Sequence, residues 1–140
     1  MSSHAVMILA GLLVVLVDQT SKSIVRSRLQ PGRWYPVLGP LGLRRVESTR
    51  AGYLPNANRY VLAAILFVLV LLLVLLLASR SLPTPGATGL GMLVGAASSN
   101  VLDRFVRGAV VDFISLRGWR TFNLADMAMV MGVLLTWSAM

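Results

Sequence analysis

Residues 60–78, with the sequence YVLAAILFVLVLLLVLLLA, decide the fold because they contain no charged side chain over 19 positions. An α-helix needs about 20 apolar residues to cross the hydrocarbon core of a bilayer, so this stretch predicts a transmembrane helix. Three further stretches of similar length are mainly apolar but carry polar side chains, namely residues 5–25, 86–102 and 122–140. We therefore predict an all-α membrane protein with four transmembrane helices, the second of them covering residues 60–79.

The composition indicates one integral membrane domain that covers residues 1–140. The chain is 56% hydrophobic and its mean hydropathy is +0.77, so a single compact unit in lipid is expected. No Lys or Arg precedes the first apolar stretch, and no clear small-x-small cleavage site follows it. This favours a permanent first span over a cleaved signal peptide. An even number of spans places both termini on the same side of the membrane.

The scarcity of some residue types narrows the possible chemistry. The chain has no cysteine and a single histidine, His4, so disulfides, thiolate metal sites, cysteine nucleophiles and histidine triads are excluded. We expect no metal and no other cofactor. The net charge of +8 comes from twelve arginines and one lysine. In so apolar a chain, this charge favours membrane phospholipids with anionic headgroups as partners, and no nucleic acid is expected.

The connection between the first two predicted helices has a different composition. Residues 26–59 contain proline and glycine at intervals that leave no room for a long helix. Trp34 and Tyr35 are amphipathic rings suited to the headgroup region, and residues 41–46 alternate in a way that favours short strands. We predict a small β cap over about residues 27–58, lying on the bilayer.

Asp112 and Asp126 stand in apolar surroundings, VVDFI and FNLADM, although the chain has only five acidic residues. A carboxylate inside a bilayer costs about 2.5 to 3.5 kcal/mol on insertion scales, so an intramembrane pair indicates a functional site. Two facing carboxylates can share one proton and serve as general base and general acid for splitting an amide with water. The pair therefore predicts a membrane aspartyl peptidase.

Other polar residues cluster at the ends of the third and fourth predicted helices. Asn100, Asp103 and Arg104 share one side of the third helix at its carboxyl end. We interpret Asp103 and Arg104 as a salt bridge, and Asn100 as a residue that hydrogen-bonds between helices. Asn123 stands three residues before Asp126, where it can cap the fourth helix.

Asp18 and Lys22 are four residues apart at the end of the first helix, so they share a helix face and can form an ion pair. A hydrolytic dyad of serine and lysine is the alternative, since Lys22 is the only lysine. The neighbouring serines lie on other faces of the same helix. The serine of such a dyad would therefore have to be Ser98, Ser99 or Ser115.

Taken together, these residues resemble a known family. Residues 17–22, VDQTSK, are similar to the first-span signature of lipoprotein signal peptidase, the type II signal peptidase of bacteria. Residues 100–104 (NVLDR), 108–113 (GAVVDF) and 122–126 (FNLAD) resemble its two catalytic boxes, in the family's order and spacing. The resemblance extends over nearly the whole chain.

The resemblance implies an extracytoplasmic β cap in the first long connection and a short amphipathic element between the third and fourth helices. It implies that Asp112 and Asp126 are catalytic. The implied substrate is a prolipoprotein whose cysteine carries a diacylglyceryl group, cut just before that cysteine without a covalent intermediate. We expect a monomer. Seven further residues are expected to bind substrate or support the site, the first four by the resemblance: Asn100, Arg104, Asn123, Asp18, Lys22, Asp103 and Ser48.

One short stretch departs from the family. The family has an Asn-x-Gly-x-Ala-Phe-like box after the cap strand, and the best match is STRAGY at residues 48–53, with Ser48 in place of Asn and Arg50 in place of Gly. This difference predicts weaker positioning of the substrate, with the acidic pair retained. The alternative is a catalytically weak paralogue that binds lipids or lipopeptides. A small proton-coupled transporter, with the acids as a relay, is a second rival.

The charge distribution and the resemblance disagree about orientation. Seven arginines lie in residues 26–59 and four in residues 104–120, whereas the opposite side has only Arg80, so the positive-inside rule places both basic connections in the cytoplasm. The family places them outside. We follow the family, because prolipoproteins arrive at the outer face of the bacterial inner membrane. We therefore expect a multi-pass protein with cytoplasmic termini and an active site near the extracytoplasmic face.

Overall fold

The computed structural model describes residues 2–48, 59–78 and 82–140, and over these ranges the chain forms four helices and one four-stranded sheet. The helices are α1 (Ser3–Arg28), α2 (Arg59–Ala78), α3 (Thr84–Arg107) and α4 (Leu124–Ser138). The strands are β1 (Trp34–Leu38), β2 (Leu41–Ser48), β3 (Val110–Leu116) and β4 (Thr121–Phe122). The number and order of the helices agree with the prediction. The predicted box from residue 49 onward, with Arg50, and also Arg80 lie outside the described residues.

α1 and α3 run parallel to each other. Ser3 Oγ, at the start of α1, donates to the carbonyl of Leu82 just before α3 (3.3 Å). Gln19 Nε2, in the second half of α1, donates to Ser99 Oγ in α3 (2.8 Å). α3 ends at the sheet and α4 begins directly after β4 of the same sheet, so α4 runs back in the opposite direction. One end of the bundle therefore holds the first turns of α1 and α3, and the other end carries the sheet.

Glycines let α1 and α3 approach each other closely. A Cβ at Gly91 would overlap the carbonyl oxygen of Met7, and a Cβ at Gly95 would overlap that of Gly11. In a bilayer, moving an apolar side chain from lipid into a contact between helices gains little free energy. Close backbone packing and interhelical hydrogen bonds therefore hold the helices together. The contact between α1 and α3 has this character.

The outward faces of the helices are apolar. Leu16 in α1 is 65% exposed and Val130 in α4 is 61% exposed, whereas the core cluster at the junction of α1 and β3 is small and consists of Val25, Val111 and Phe113. Exposed apolar surfaces on this scale mark contact with a membrane or another protein. The distribution is that of a protein whose helices face lipid.

α1, with 26 residues, is long and apolar enough to cross a bilayer. α4 is apolar but has 15 residues, about 22 Å at 1.5 Å per residue, against a hydrocarbon core of about 30 Å. Four helices are therefore confirmed, and four crossings of the membrane stay a prediction.

The sheet takes its strands from two connections, which corrects the predicted cap. Its order is β1-β2-β3-β4 and every pair is antiparallel. β1 and β2 lie between α1 and α2 as predicted, but β3 and β4 form between α3 and α4. The amphipathic element predicted there is thus a strand hairpin. Side chains along Val110–Leu116 largely alternate between buried and partly exposed, which is the period of a strand and not of a helix.

α3 ends at Arg107 and not near residue 102, where the apolar stretch stops. Gly108 follows with φ of 75°, a left-handed conformation that closes a helix and that glycine adopts without strain. The extra turn carries Asp103 and Arg107 and leads directly into β3. The polar end of α3 is thereby placed beside the strand that holds Asp112.

We expect Gly91→Val to destabilise the helix bundle by about 1–3 kcal/mol, the usual cost of overpacking. The added side chain would overlap the carbonyl of Met7 in α1. Val106→Ala, at a 69% exposed position of the same helix, is the control and should change stability by no more than about 0.5 kcal/mol. Unfolding in detergent, followed by circular dichroism, measures both variants. Equal stability of the two would contradict the close packing of α1 and α3.

Candidate active site

Asn123 joins the two predicted catalytic acids. Asp112 lies on β3 and Asp126 lies in the first turn of α4, with Asn123 as the N-cap between them in sequence. Asn123 Nδ2 donates to Asp112 Oδ1 (2.8 Å), while Asn123 Oδ1 accepts from the Asp126 backbone N–H (3.0 Å). The Asn123 backbone N–H in turn donates to Asp126 Oδ2 (3.2 Å). The predicted cap is confirmed, and the link from this cap to Asp112 is a feature that local sequence reasoning missed.

Asn100 connects Asp126 to the helix bundle. Its Nδ2 donates to Asp126 Oδ1 (3.2 Å), and its Oδ1 accepts from Lys22 Nζ (3.0 Å) and from Asn123 Nδ2 (3.2 Å). One side chain thus joins α1, α3 and α4. The interpretation of Asn100 as a residue that hydrogen-bonds between helices is confirmed.

Lys22 lies at the centre of a buried ion cluster. Its Nζ is 2.6 Å from Asp18 Oδ2 and 2.7 Å from Asp103 Oδ2, and all three side chains are 0% exposed. The predicted pair of Asp18 and Lys22 is therefore present, with Asp103 as a second partner from α3. Burying an ammonium is costly unless opposite charges and hydrogen bonds compensate it, and the two carboxylates do so here.

The predicted salt bridge between Asp103 and Arg104 is wrong. Asp103 Oδ1 pairs instead with Arg107, whose guanidinium also donates to Gln19 Oε1 (2.6 Å). Residues four apart lie on the same face of a helix, whereas consecutive residues do not face each other. Arg104 is half-buried and forms no ion pair with any residue that the structure describes. The spacing of Asp103 and Arg107 was the sequence signal for the correct partner.

The arrangement around Lys22 contradicts the alternative of a serine–lysine dyad. The ammonium is enclosed by Asp18, Asp103 and the Asn100 oxygen, so its three N–H groups are engaged by partners other than a serine. Ser99 Oγ donates to Asp18 Oδ2 (2.6 Å), and Ser115 bonds to a threonine hydroxyl on β4.

Asp112 has the electrostatic character of a proton-carrying acid. Burial raises the pKa of its carboxyl to about 6, and the nearby charge of Asp126 acts in the same direction. Hydrogen bonds from Asn123 and Ser48 and the charge of Lys22 lower the pKa and only partly offset the burial. A pKa in this range lets one carboxyl hold or release a proton near neutral pH.

An open groove of about 1450 Å³ runs past the two acids. Its polar part includes Asp112, Asp126 and Ser48, which lies on β2 opposite Val110. Its apolar part is lined by Val46, Leu116, Trp119, Phe122, Met127, Val130 and Met131. Within the described residues, no three His, Cys, Asp or Glu side chains come together as a metal site. The groove offers a path along which an apolar substrate can reach both acids.

Comparison with known proteins shows similarity to one family over most of the chain. Residues 10–140 match the model of a family described as signal peptidase (SPase) II. A lipoprotein signal peptidase from Moorella thermoacetica is 39% identical over 132 residues, covering 91% of this chain and 87% of that protein. One from Syntrophomonas wolfei is 35% identical over 127 residues, covering 89% of this chain and 85% of that protein.

Two solved structures have the same fold. Both are described as bacterial membrane enzymes, with TM-scores of 0.83 and 0.81 and 23% sequence identity to this chain. The comparison covers 95% of this chain in both cases, and 90% and 85% of the respective structures. At this identity the likeness concerns the fold.

We expect Asn123→Ala to raise the pKa of Asp112 above about 6, because the hydrogen bond from Asn123 Nδ2 lowers it. Loss of the N-cap should also cost about 1 kcal/mol of stability. Thr121→Val is the control, since it removes a hydroxyl that bonds to Ser115 and not to either acid. Infrared titration of the protonated carboxyl band measures the pKa. An unchanged titration in Asn123→Ala would show that Asn123 does not act on Asp112.

Proposed function

The chain belongs to the signal peptidase II family, aspartic-type proteases that act on lipoprotein precursors, and we propose that Asp112 and Asp126 are its catalytic pair. One observation carries this proposal. The side chain of Asn123 donates to Asp112 and accepts from the backbone N–H of Asp126, so it holds both acids at the same groove. A peptide bond bound in that groove can reach both carboxyls.

The surrounding donors assign different roles to the two acids. Both carboxylate oxygens of Asp126 accept N–H groups, one from Asn100 and one from the Asn123 backbone. With N–H donors on both oxygens, Asp126 is placed to accept a proton from water and not to donate one. Asp112 accepts from Asn123 through Oδ1, and its raised pKa favours a proton on the carboxyl. Asp126 is thus the general base and Asp112 the general acid.

The reaction then proceeds in two balanced steps. Asp126 takes a proton from water as the water oxygen bonds to the scissile carbonyl carbon, while Asp112 gives its proton to the carbonyl oxygen. In the tetrahedral product of this step, Asp126 is protonated and Asp112 is ionised. Asp126 next protonates the leaving nitrogen as the C–N bond breaks, and Asp112 takes back a proton from a hydroxyl of the tetrahedral carbon. Both acids return to their starting states without a covalent intermediate.

The apolar wall of the groove fits a lipid-bearing substrate. Met127, Val130 and Met131 follow Asp126 along α4 and are 47–61% exposed, on a helix whose outer face is apolar. The acyl chains of a diacylglyceryl cysteine next to the scissile bond would lie against this wall, while the peptide bond lies beside the two acids. Together with the resemblance, this supports cleavage of a diacylglyceryl prolipoprotein immediately before its lipidated cysteine.

The proposal includes the setting of the enzyme in the inner membrane. The four helices form a single domain over residues 1–140 that crosses the bilayer four times, with both termini in the cytoplasm and the sheet outside. The basic sheet contacts phospholipid headgroups, and the protein acts as a monomer. Support comes from the directions of the helices. Because α1 and α3 run parallel and α4 runs back, the start of α1 and the end of α4 lie at the end of the bundle away from the sheet.

The groove gives no support to the rival functions. Ser48, which stands where the family has Asn, lies beside Asp112 and lowers its pKa through a hydrogen bond, so the substitution leaves a polar group at this position. A transporter needs acids along a path across the membrane. Asp18, Asp103, Asp112 and Asp126 instead gather at one end of the bundle.

We expect Asp112→Asn and Asp126→Asn, made separately, to abolish cleavage of a diacylglyceryl prolipoprotein by the purified protein in detergent. Each change is nearly isosteric but removes one half of the acid–base pair. Loss of the signal peptide, seen as a gel shift, measures turnover. Both variants should still unfold like the wild type and still bind the substrate.

The control for these variants is Glu47→Gln, which removes a carboxylate on β2 that pairs with Arg26 and Arg45 away from the groove. It should cleave at about the wild-type rate. Turnover by either Asp112→Asn or Asp126→Asn would refute the assignment of the pair.

A second prediction concerns orientation. Since the chain has no native cysteine, single cysteines can be labelled without interference. Arg117→Cys, on the exposed end of the sheet, should react with a membrane-impermeant maleimide in spheroplasts, whereas Ser138→Cys, at the end of α4, should react only after the membrane is permeabilised. The reverse pattern would mean that the positive-inside count gives the true orientation.

A further inference from the structure

The two carboxylates that hold Lys22 also hold the main chain beside the catalytic pair. Asp103 Oδ2 accepts from the backbone N–H of Val111 (3.2 Å), and Asp18 Oδ1 accepts from that of Ala125 (2.9 Å). Val111 immediately precedes Asp112, and Ala125 immediately precedes Asp126. One buried ammonium therefore ties together the two anchors that place the acids, one on β3 and one on α4.

The same ammonium orients the amide of Asn100. An ammonium has three donors and no acceptor, so Asn100 must turn its oxygen toward Lys22, to which it is 3.0 Å distant. The nitrogen of the amide then faces Asp126 Oδ1 and donates to it. If the amide turned over, its oxygen would face a carboxylate oxygen of Asp126 and the N–H donor would be lost.

We propose that Lys22 is a positioning residue that decides which acid of the pair takes the proton from water. Acting through Asn100, it directs an N–H donor to Asp126 and so keeps Asp126 ready to take a proton from water, while the shared proton stays on Asp112. This inference rests on the proposed function, because it concerns the same pair of acids.

The charges around Lys22 determine which variant can test this role. Asp18 on α1 and Asp103 on α3 contact the ammonium directly. The charge of the ammonium also acts on Asp112 on β3. Asp126 on α4 is linked to the ammonium through the side chain of Asn100. Arg107 on α3 neutralises Asp103 from the far side, so the two buried carboxylates are balanced by two cations. Removing Lys22 alone would leave an unbalanced buried negative charge and destabilise the fold.

A pair of double variants separates the donor role from charge balance. Asp18→Asn/Lys22→Met removes one buried ion pair together with the donor to Asn100, and the new Asn keeps an oxygen for the Ala125 N–H. Asp103→Asn/Arg107→Gln removes the other buried ion pair, and the new Asn keeps an oxygen for the Val111 N–H. Both doubles leave the cluster neutral, and only the first takes the ammonium away from Asn100.

We expect both limbs of the pH profile of kcat/KM to move to higher pH by about one unit in Asp18→Asn/Lys22→Met. The rising limb reports the general base of the pair and moves up when the directed donor is lost. Without the positive charge of Lys22, which lowers the pKa of Asp112, Asp112 keeps its proton to higher pH, and the falling limb also moves up. Asp103→Asn/Arg107→Gln should keep both limbs where the wild type has them, whatever its turnover.

A second measurement does not depend on turnover. Infrared titration of the protonated carboxyl band, without substrate, should show the same upward shift in Asp18→Asn/Lys22→Met and none in Asp103→Asn/Arg107→Gln. Two outcomes would overturn the role of Lys22. In one, Asp18→Asn/Lys22→Met would have the same infrared titration and the same pH profile as the wild type. In the other, the two double variants would show equal shifts. Failure of the wild type to cleave a diacylglyceryl prolipoprotein would instead refute the proposed function, and the infrared titration would still test the inference.

Discussion

The structure depends on the burial of one lysine among apolar helices. Lys22 is 0% exposed, and an ammonium in that position is stable only if carboxylates accompany it. The two carboxylates that do so come from different helices, Asp18 from α1 and Asp103 from α3. Because each of them also accepts a backbone N–H next to a catalytic acid, the requirement to neutralise Lys22 places the sheet and the start of α4 against the bundle.

The sheet has a corresponding role at the groove. β2 comes from the first connection and β3 from the second, and their pairing sets Val46 opposite Asp112. This register brings Ser48 beside Asp112 and closes one side of the groove, while α4 supplies the other side. A cap built from the first connection alone would leave the strand of Asp112 without a partner on that edge, exposing backbone groups that need hydrogen bonds.

The solvent explains the contrast between the polar cluster and the rest of the helices. In lipid, helices associate through small residues and hydrogen bonds, not through burial of apolar side chains. Gly91 and Gly95 provide the close contact between α1 and α3, and the cluster around Lys22 provides polar contacts at the end nearest the sheet. Apolar side chains such as Leu16 are left to face outward.

The sequence by itself determined the features that depend on short separations along the chain. The four helices follow from apolar stretches, the pair of Asp18 and Lys22 from four-residue spacing, and the Asn123 cap from its place before α4. The tertiary structure alone decided the contacts between distant segments. The pairing of Lys22 with Asp103 joins residues from two helices, and β3 became a strand because β2 offered it a partner. Periodicity and capping act within a few residues, whereas these contacts depend on the parallel packing of α1 and α3 and on strand register, which no local pattern encodes.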